Sequence, residues 1–390
     1  MEKDDNKLLF SIVIPCLNEE MTLPIVIKKG LSVIKRLGLR GEVIVVDNDS
    51  SDNSVKIAEE MGARVIHCSI KGYGNALRYG LDNAYGQYII MGDADDSYNF
   101  EEIDDFVKYL DKNYDLVIGT RLKGKIEKGA MPMLHRYLGT PVLTSIINLL
   151  FNTNISDCNC GMRGIKKSSF KKLKLESSGM EFASEMIIKA GTMKFNIKEI
   201  PITLYKDKRD IKPHLNTWKD GWRHLRFILL FSPTYLFMFP GFFLLLLGFV
   251  FMLPAFFAIF TSGGDIIYFH RTLLGSLLVI LGYQVINMGI YAKSIAYVRY
   301  KELRIFNNFI RKFYQIFTLE RGILIGLGIL LIGVVIDVII FIQWRQSGFG
   351  VLNKAGEMSV ASTLIIIGVQ TIFSACLLSM LNVNNRWSDK

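Results

Sequence analysis

The feature that most limits what this chain can become is a stretch without charge. No Asp, Glu, Lys or Arg occurs between Arg226 and Asp265. That is longer than the roughly 20 apolar residues a helix needs to cross a bilayer, and in hydrocarbon only a helix or a closed barrel satisfies its own backbone. Pro233, within Ser232-Pro-Thr234, divides the run into an interfacial piece and a span. Four spans are expected, at about 235–260, 273–297, 323–344 and 359–381. From Phe227 onward there are 12 Lys and Arg against 6 Asp and Glu, and the first 226 residues carry 34 against 30. A charge-rich, nearly balanced soluble part therefore precedes a charge-poor, basic membrane part, a division that does not suit a nucleic-acid binder. With half of its 390 residues apolar the chain is not disordered, and five cysteines are too few for a disulfide scaffold.

The loop between the second and third spans carries Arg299, Lys301, Arg304, Arg311, Lys312 and Arg321, and the other two loops carry much less positive charge. The positive-inside rule places this loop in the cytoplasm, so both termini are expected there, in a multi-pass protein of a prokaryotic plasma membrane. The apolar run Leu8 to Pro15 agrees: it is too short for a signal peptide and lacks a small-residue cleavage site. Three parts are expected: a cytoplasmic domain over 1–215, an interfacial amphipathic helix over 216–232, and a transmembrane domain over 233–390. In the middle part Trp218 and Trp222 stand beside Lys219, Arg223 and Arg226, an anchor with its rings at headgroup level. Asp337 falls inside the third span, where a carboxylate is a functional candidate, but nothing nearby completes a proton pathway and a structural role is expected.

In the soluble part, strand-like runs at Leu9–Pro15, Glu42–Asp47, Ala63–Cys68, Tyr88–Gly92 and Leu116–Thr120 alternate with helical patterns at Leu23–Leu37, Ser54–Met61, Asn75–Ala84 and Phe100–Lys112, with Asp52 as an N-cap for the second helix. That alternation indicates a mostly parallel, doubly wound α/β sheet, whose ligands bind beyond the carboxyl ends of the strands. Acidic clusters stand at those ends: Asn18-Glu19-Glu20, Asp47-Asn48-Asp49 and Asp93-Ala94-Asp95-Asp96, with Arg121 after the fifth run. Asp93 and Asp95, two apart, point the same way if the strand geometry continues, and hard oxygens suit Mg²⁺ or Mn²⁺ completed by a diphosphate. Lys71-Gly72-Tyr73-Gly74 can cradle a phosphate, but Leu77 stands where a dinucleotide fingerprint needs its third glycine. Cys158-x-Cys160 is only a weak metal signal.

Together, Ser11-Ile-Val-Ile-Pro15-Cys-Leu-Asn18-Glu19-Glu20, Val45-Val-Asp47-Asn48-Asp49-Ser50, Asp93-Ala94-Asp95, Ser156-Asp157-Cys-Asn-Cys160-Gly161-Met162-Arg163 and Gly179-Met-Glu181-Phe resemble family 2 glycosyltransferases of the GT-A fold. The closer resemblance is to polyprenyl-phosphate glycosyltransferases, the dolichyl-phosphate mannose synthase type and bacterial undecaprenyl-phosphate glucosyltransferases. It continues through Pro213-His214-Leu215 and Trp218-Lys-Asp220-Gly221-Trp222-Arg223-His224. It implies a GT-A, Rossmann-like catalytic domain followed by an all-α four-helix transmembrane domain. It also implies inverting, metal-dependent transfer of a sugar from a nucleotide diphosphate sugar to a polyprenyl phosphate, with a UDP-sugar, UDP-glucose above all, preferred and a GDP-sugar possible. By the same resemblance Pro15, Leu17, Glu19, Asp47, Asn48, Lys71, Gly72, Asp93, Ala94, Asp95 and Arg209 bind the nucleotide sugar, with Asn48 near the base. Asp93 and Asp95 hold Mg²⁺ or Mn²⁺; Arg121, Arg136, Arg163 and Lys212 bind the acceptor phosphate; and Asp95, Arg121, Asp157 and Arg163 form the catalytic set. Lys208-Arg209-Asp210 replaces the family's Gly-Arg-Ser in the loop that covers the site.

Asp157 matches a carboxylate proposed as a base. A phosphate monoester, with a second pKa near ~6, is already a nucleophile at neutral pH, so Asp157 is expected to orient the acceptor or position Arg163. Glu181 and Glu185 are expected to serve local structure. Lys123, Lys125, Lys128 and Arg136, with Lys206, Lys208, Arg209 and Lys212, are expected to face anionic headgroups and the acceptor phosphate, and the run Tyr137 to Phe151 to touch the bilayer or to pack as a core helix. A processive polysaccharide synthase is disfavoured, because the lone Arg386-Trp387 follows Val383 where such enzymes carry Gln. A non-catalytic, membrane-tethered nucleotide-sugar-binding protein is disfavoured by the intact acidic pair and Arg121. The apolar surface of the tail permits a homo-oligomer.

Overall fold

The computed structural model describes residues 9–208, 217–258, 269–299, 312–351 and 354–386. The chain forms two compact units, Met1–Phe231 and Ser232–Lys390.

The first unit is built on seven strands, β1 (Phe10–Cys16), β2 (Gly41–Asp47), β3 (Arg64–His67), β4 (Tyr88–Met91), β5 (Leu116–Ile126), β6 (Arg163–Lys166) and β7 (Ile197–Leu204), in the order β3-β2-β1-β4-β6-β5-β7. β1 pairs in parallel with β2 and β4, and β5 in parallel with β7. β6 runs antiparallel to both of its neighbours, β4 and β5. Six strands thus leave the sheet at one rim, and β6 enters it there. β1, Phe-Ser-Ile-Val-Ile-Pro-Cys, is covered on both faces, which is why it reads as an unbroken apolar run.

The helices are α1 (Leu23–Leu37), α2 (Ser54–Glu60), α3 (Tyr73–Asn83), α4 (Asp104–Asp111), α5 (Thr140–Phe151), α6 (Lys167–Leu173), α7 (Phe182–Thr192) and α8 (Thr217–Leu230). α1 shows the physical logic of the set. Pro24 opens it, Leu23, Val26, Ile27, Gly30 and Val33 bury one face against the sheet, and Gly38 at φ 63° ends it. α5 resolves the open reading of its segment: Thr140, Thr144, Ile147 and Phe151 are buried, whereas Tyr137, Leu138, Val142 and Leu149 stay exposed. On α8, His224 is buried and bonds Ser184 of α7 at 2.7 Å. Trp222 is exposed, and the Trp218 side chain lies outside the described residues.

Asp52 does not take the N-cap place of α2. Asn53 occupies it, and the Asp52 carboxylate instead accepts from the amides of Ser54 and Glu20, joining the turns after β1 and β2.

The second unit holds α9 (Phe239–Ala258), α10 (Phe269–Arg299), α11 (Leu319–Gln346) and α12 (Ala355–Arg386). Four segments there, Thr234–Phe257, Phe269–Tyr297, Leu319–Gln346 and Ala355–Leu381, are long and apolar enough to cross a membrane. Small residues let the helices approach closely: a Cβ on Gly248 of α9 would stand 2.6 Å from the carbonyl oxygen of Gly275 of α10. Hydroxyl pairs Ser276–Thr363, Tyr283–Thr371 and Tyr291–Ser374, each 2.6 Å, join α10 to α12. Asp337 of α11 lines a cavity of about 460 Å³ with Ile340, Phe341, Trp344, Gly350 and Met358.

Candidate active site

The rim where the strands end is held by polar side chains that cap one another's turns. After β1, the amides of Asn18 and Glu19 donate to Ser50 and Ser54, and Asn18 and Glu20 accept from the amides of Ser51 and Asn53. Asp47, at the end of β2, accepts from Ser50 N and pairs with His67 Nδ1, each at 3.1 Å. Glu19 is buried and accepts from Thr22 Oγ1. Leu17 is 39% exposed, an apolar surface at the mouth of this region.

Asn48, expected near the base, spends its amide on the backbone. Its Nδ2 donates to the carbonyls of Cys68 and Ile70, and its Oδ1 accepts from Gly72 N at 2.8 Å. It shapes the loop after β3 with all of these atoms. Lys71 pairs at 2.9 Å with Asp49, both exposed. Gly72 has φ 133°, and a Cβ there would stand 2.3 Å from the carbonyl oxygen of Ser178, so only glycine fits. The next residue, Tyr73, donates its hydroxyl to Asp93 Oδ1 at 2.8 Å, which ties the Gly-rich turn to the paired carboxylates.

Asp93 and Asp95 follow β4. The Asp93 carboxylate lies over Gly161, whose missing side chain makes room for it: a Cβ there would be 2.6 Å from Asp93 Oδ2. Asp95 Oδ1 accepts from the Ser97 amide at 3.0 Å and its hydroxyl at 2.6 Å, and Ala94 between the two acids is buried. Asp96, 1% exposed, binds Lys29 and Lys208, each at 2.6 Å. No three His, Cys, Asp or Glu side chains converge as a complete metal shell among the described residues. Two hard carboxylates nevertheless fit Mg²⁺ or Mn²⁺, which keep open positions for water and substrate phosphates.

Arg121 follows the regular part of β5, where the ladder to β7 breaks between Thr120 and Lys125. Its Nε and Nη2 donate to Asp157 at 2.7 and 2.8 Å, and its backbone N–H at 3.1 Å. Burial alone would raise the pKa of Asp157, but the Arg121 charge and its hydrogen bonds outweigh that and hold it below the usual carboxylate range. Asp157 is 0% exposed and so is poorly placed to collect a proton from a substrate. It positions Arg121, where the sequence pointed to Arg163 or the acceptor. Ser156 and Asp157 are themselves held by Glu199 of β7, which accepts both of their amides. The Arg121 charge also reaches His135, whose pKa is lowered first by burial and then by that cation. Within the turn His135–Gly139, the Arg136 guanidinium lies 5.4 Å from the centroid of the Tyr137 ring.

Arg163 is a correction. It is 1% exposed and donates to the carbonyls of Cys158, Cys160 and Ala183 at 2.8, 2.8 and 2.6 Å. A guanidinium bound to three carbonyls holds the loop before β6 and the start of α7; it does not present itself to a phosphate. Arg209 and Lys212 lie outside the described residues. Sequence reasoning missed Tyr73, Tyr98 and Glu199. Tyr98 accepts from Gly161 N at 3.0 Å, and no spacing in the sequence signals that contact. Cys158 and Cys160 are buried and their thiols pushed up to about 11 and about 12 by desolvation, which does not suit metal ligation.

Comparison with known proteins adds to this geometry. Residues 11–174 match the family described as glycosyl transferase family 2, and residues 294–382 match the glycosyltransferase family 2 C-terminal transmembrane region. The low-salt glycan biosynthesis hexosyltransferase Agl6 of Haloferax volcanii is 37% identical over 373 residues, which are 95% of this chain and 88% of that protein. A dolichyl-phosphate hexose transferase of the same organism is 32% identical over 166 residues, 42% of this chain and 69% of the relative. Among solved structures, glucosyl-3-phosphoglycerate synthase of Mycobacterium tuberculosis, in complex with Mn²⁺, uridine diphosphate and glucosyl-3-phosphoglycerate, aligns with TM-score 0.45 and 18% identity, covering 57% of this chain and 78% of that one. With a relative matched over nearly its whole length, family matches in both halves and four apolar helices in its tail, the chain belongs to glycosyltransferase family 2 and is a membrane glycosyltransferase.

Proposed function

We propose that this enzyme transfers a hexose, glucose from UDP-glucose in the first instance, to a polyprenyl phosphate at the cytoplasmic face of the membrane, with inversion at the anomeric carbon. The observation that carries the proposal is the pairing on one rim of two kinds of group: the Asp93–Asp95 carboxylates after β4 and, after β5, the Arg121 guanidinium clamped by Asp157. The first suits a donor diphosphate that arrives with a divalent cation; the second suits an anionic acceptor. One relative is named a dolichyl-phosphate hexose transferase, which supports a lipid phosphate as that acceptor.

The chemistry follows from the charges. A phosphate oxygen of the acceptor attacks the anomeric carbon, the bond from that carbon to the diphosphate oxygen breaks, and the nucleoside diphosphate leaves with the electron pair. Asp93 and Asp95 would hold a divalent cation, which when bound would neutralise charge on the leaving diphosphate. Arg121 holds the acceptor phosphate and adds a fixed positive field where charge is moving. Asp157 fixes the plane of that guanidinium and takes no proton.

In this reading the catalytic domain spans 1–215, an interfacial helix 216–232 and a membrane domain 233–390, with both termini cytoplasmic. The spans tether the catalytic unit to the surface where the acceptor phosphate lies and so raise the effective concentration of the reactants. Exposed Met133, Tyr137, Leu138 and Leu149 stand close in sequence to Lys125, Lys128 and Arg136, an apolar and basic composition suited to anionic headgroups, whereas Lys123 pairs with Glu199.

The test is a panel of radiolabelled UDP-glucose, UDP-N-acetylglucosamine and GDP-mannose, incubated with membranes containing the enzyme, a polyprenyl phosphate, and Mg²⁺ or Mn²⁺. A short, lipid-extractable product that requires the cation is expected. Polymer, or label that never enters the lipid phase with any donor, would refute the proposal.

A further inference from the structure

Within the catalytic unit, two buried side-chain oxygens have no hydrogen-bond partner among the described residues: Ser177 Oγ and Glu181 Oε2. Both lie on the segment between α6 and α7, which is held firmly. Glu185 of α7 accepts from the amides of Glu176 at 3.0 Å and Ser177 at 2.8 Å, and it pairs at 2.7 Å with Lys189, the two side chains being 2% and 1% exposed. The Ser178 carbonyl accepts from Gly74 N at 2.9 Å, so the segment lies against the Gly-rich turn whose Tyr73 holds Asp93. From the other side Arg163 ties down Ala183, two residues beyond Glu181. Leaving buried oxygens unpaired is costly. A rigid segment that keeps two of them against the turn that holds Asp93 gains no stability from doing so.

The chemistry of the missing partner is constrained. A carboxylate accepts hydrogen bonds and does not donate them, so the partner must donate. A phosphate would add a negative charge where one already stands; a sugar hydroxyl donates without charge. Under the function proposed above, on which this inference rests, the hexosyl ring hangs from the phosphate nearest Asp93 and Asp95 and brings several hydroxyls to this part of the rim. The geometry points to Glu181 as a specificity-determining residue that accepts from one hydroxyl of the donor hexose, with Ser177 as its companion. Glu181 Oε1 accepts from Gly179 N at 3.3 Å, which orients the carboxylate, and Oε2 is the oxygen without a partner; contact with the sugar requires the backbone at Gly179, against which Oε2 packs, to give way.

The test uses the full chain in detergent with Mg²⁺. The wild type is first given UDP-glucose, UDP-N-acetylglucosamine and GDP-mannose with a polyprenyl phosphate. Singly deoxygenated analogues of the donor it turns over are then compared in wild type, Glu181→Gln and Ser177→Ala. Glu181→Gln binds the free nucleoside diphosphate as the wild type does, which shows that the site has folded, and loses on the order of tenfold or more in kcat/KM with the full donor. That loss disappears with one deoxy analogue, the one lacking the hydroxyl that Glu181 reads. Equal losses with every analogue, or no loss at all, overturn the assignment. Should Glu181→Gln fail to bind the nucleotide, Ser177→Ala decides: a loss that disappears with one analogue sustains the sugar contact, and an equal loss with every analogue, or none, overturns it. A wild type that transfers no sugar from any of the three donors sinks the functional reading and this inference with it. A wild type that transfers sugar while neither variant discriminates among analogues sinks this inference alone.

Discussion

Replacing Asp157 by Asn separates two roles, holding Arg121 and taking a proton. Asp157 accepts from Nε, Nη2 and the backbone N–H of Arg121 and, at 3.2 Å, from the backbone N–H of Asn159. Asparagine keeps a single acceptor oxygen. Placed where Oδ2 stands, it still serves Arg121 N and Nε, while its NH₂ group confronts two other donors, Nη2 and the Asn159 amide. The guanidinium also loses its counter-charge in a pair whose side chains are 12% and 0% exposed. Removing one partner of a buried pair costs about 3–5 kcal/mol. The retained contacts put this substitution at the lower end, about 3 kcal/mol, and at about 2–4 °C per kcal/mol for a domain of this size the melting temperature falls by about 6–12 °C. With Arg121 no longer fixed, kcat falls by about 10²–10³, the loss typical of one preorganised charge-stabilising donor.

The assay is a thermal melt in detergent together with transfer rates between pH 5 and 8. If Asp157 only positions Arg121, the slow variant retains the acid limb of the wild-type profile, because that limb belongs to the acceptor phosphate with a second pKa near ~6. An Asn variant with unchanged melting temperature and no acid limb would refute the reasoning and make Asp157 the base.

Asp95→Asn should abolish divalent-dependent transfer while the protein still fractionates with membranes; undiminished, cation-stimulated activity would contradict the metal assignment. Gly161→Ala should push Asp93 out of place, since its new Cβ falls 2.6 Å from Asp93 Oδ2, raising the donor KM by roughly tenfold at a cost of about 1–3 kcal/mol in stability; an unchanged KM would show that Asp93 does not meet the donor. The depressed pKa of Asp157 also predicts a pH effect. A carboxyl lower in the folded than in the unfolded state stabilises fully above the unfolded value of about 3.9 and loses that contribution as pH falls through the folded value. The gap in melting temperature between wild type and Asp157→Asn should therefore be constant at neutral pH and narrow below about pH 4; a gap that widens on acidification would reverse the sign of the shift.

Much of the architecture was legible because local pattern and tertiary role coincide. α1 spans Leu23–Leu37, as its apolar spacing predicts, since one stripe covers the sheet and a glycine follows. The four hydrophobic segments could only be membrane-length helices. β6 was not legible: Arg163-Gly-Ile-Lys166 is four residues long and half charged, and what makes it a strand is its neighbours β4 and β5. β7 carries Lys198, Glu199 and Pro201, a composition tolerated at the sheet edge that hides the strand in the sequence. The paired acids after β4 were legible by spacing. The role of Arg163 was not, because a sequence shows an arginine at the rim and does not show the three carbonyls that occupy it.

The reversed strand also explains how the two halves of the site come together. β6 enters the sheet at the rim where β4 and β5 leave it, with Met91 and Ile118 both in register with Arg163. The loop before it, 156–162, therefore runs along that rim. At one end Asp157 clamps Arg121, which follows β5; at the other Gly161 lies beneath Asp93, which follows β4. Were β6 parallel to its neighbours, this loop would emerge at the opposite edge of the sheet and touch neither. A single short loop thus sets both the carboxylates proposed for the donor diphosphate and the guanidinium proposed for the acceptor phosphate. Arg163 follows it directly and anchors it through the carbonyls of Cys158 and Cys160. A displacement of the loop at either end is then carried to the other, so substitutions at Gly161 and at Asp157 should not be independent in a double-mutant cycle of kcat/KM. Additive effects would mean that the two halves are built separately.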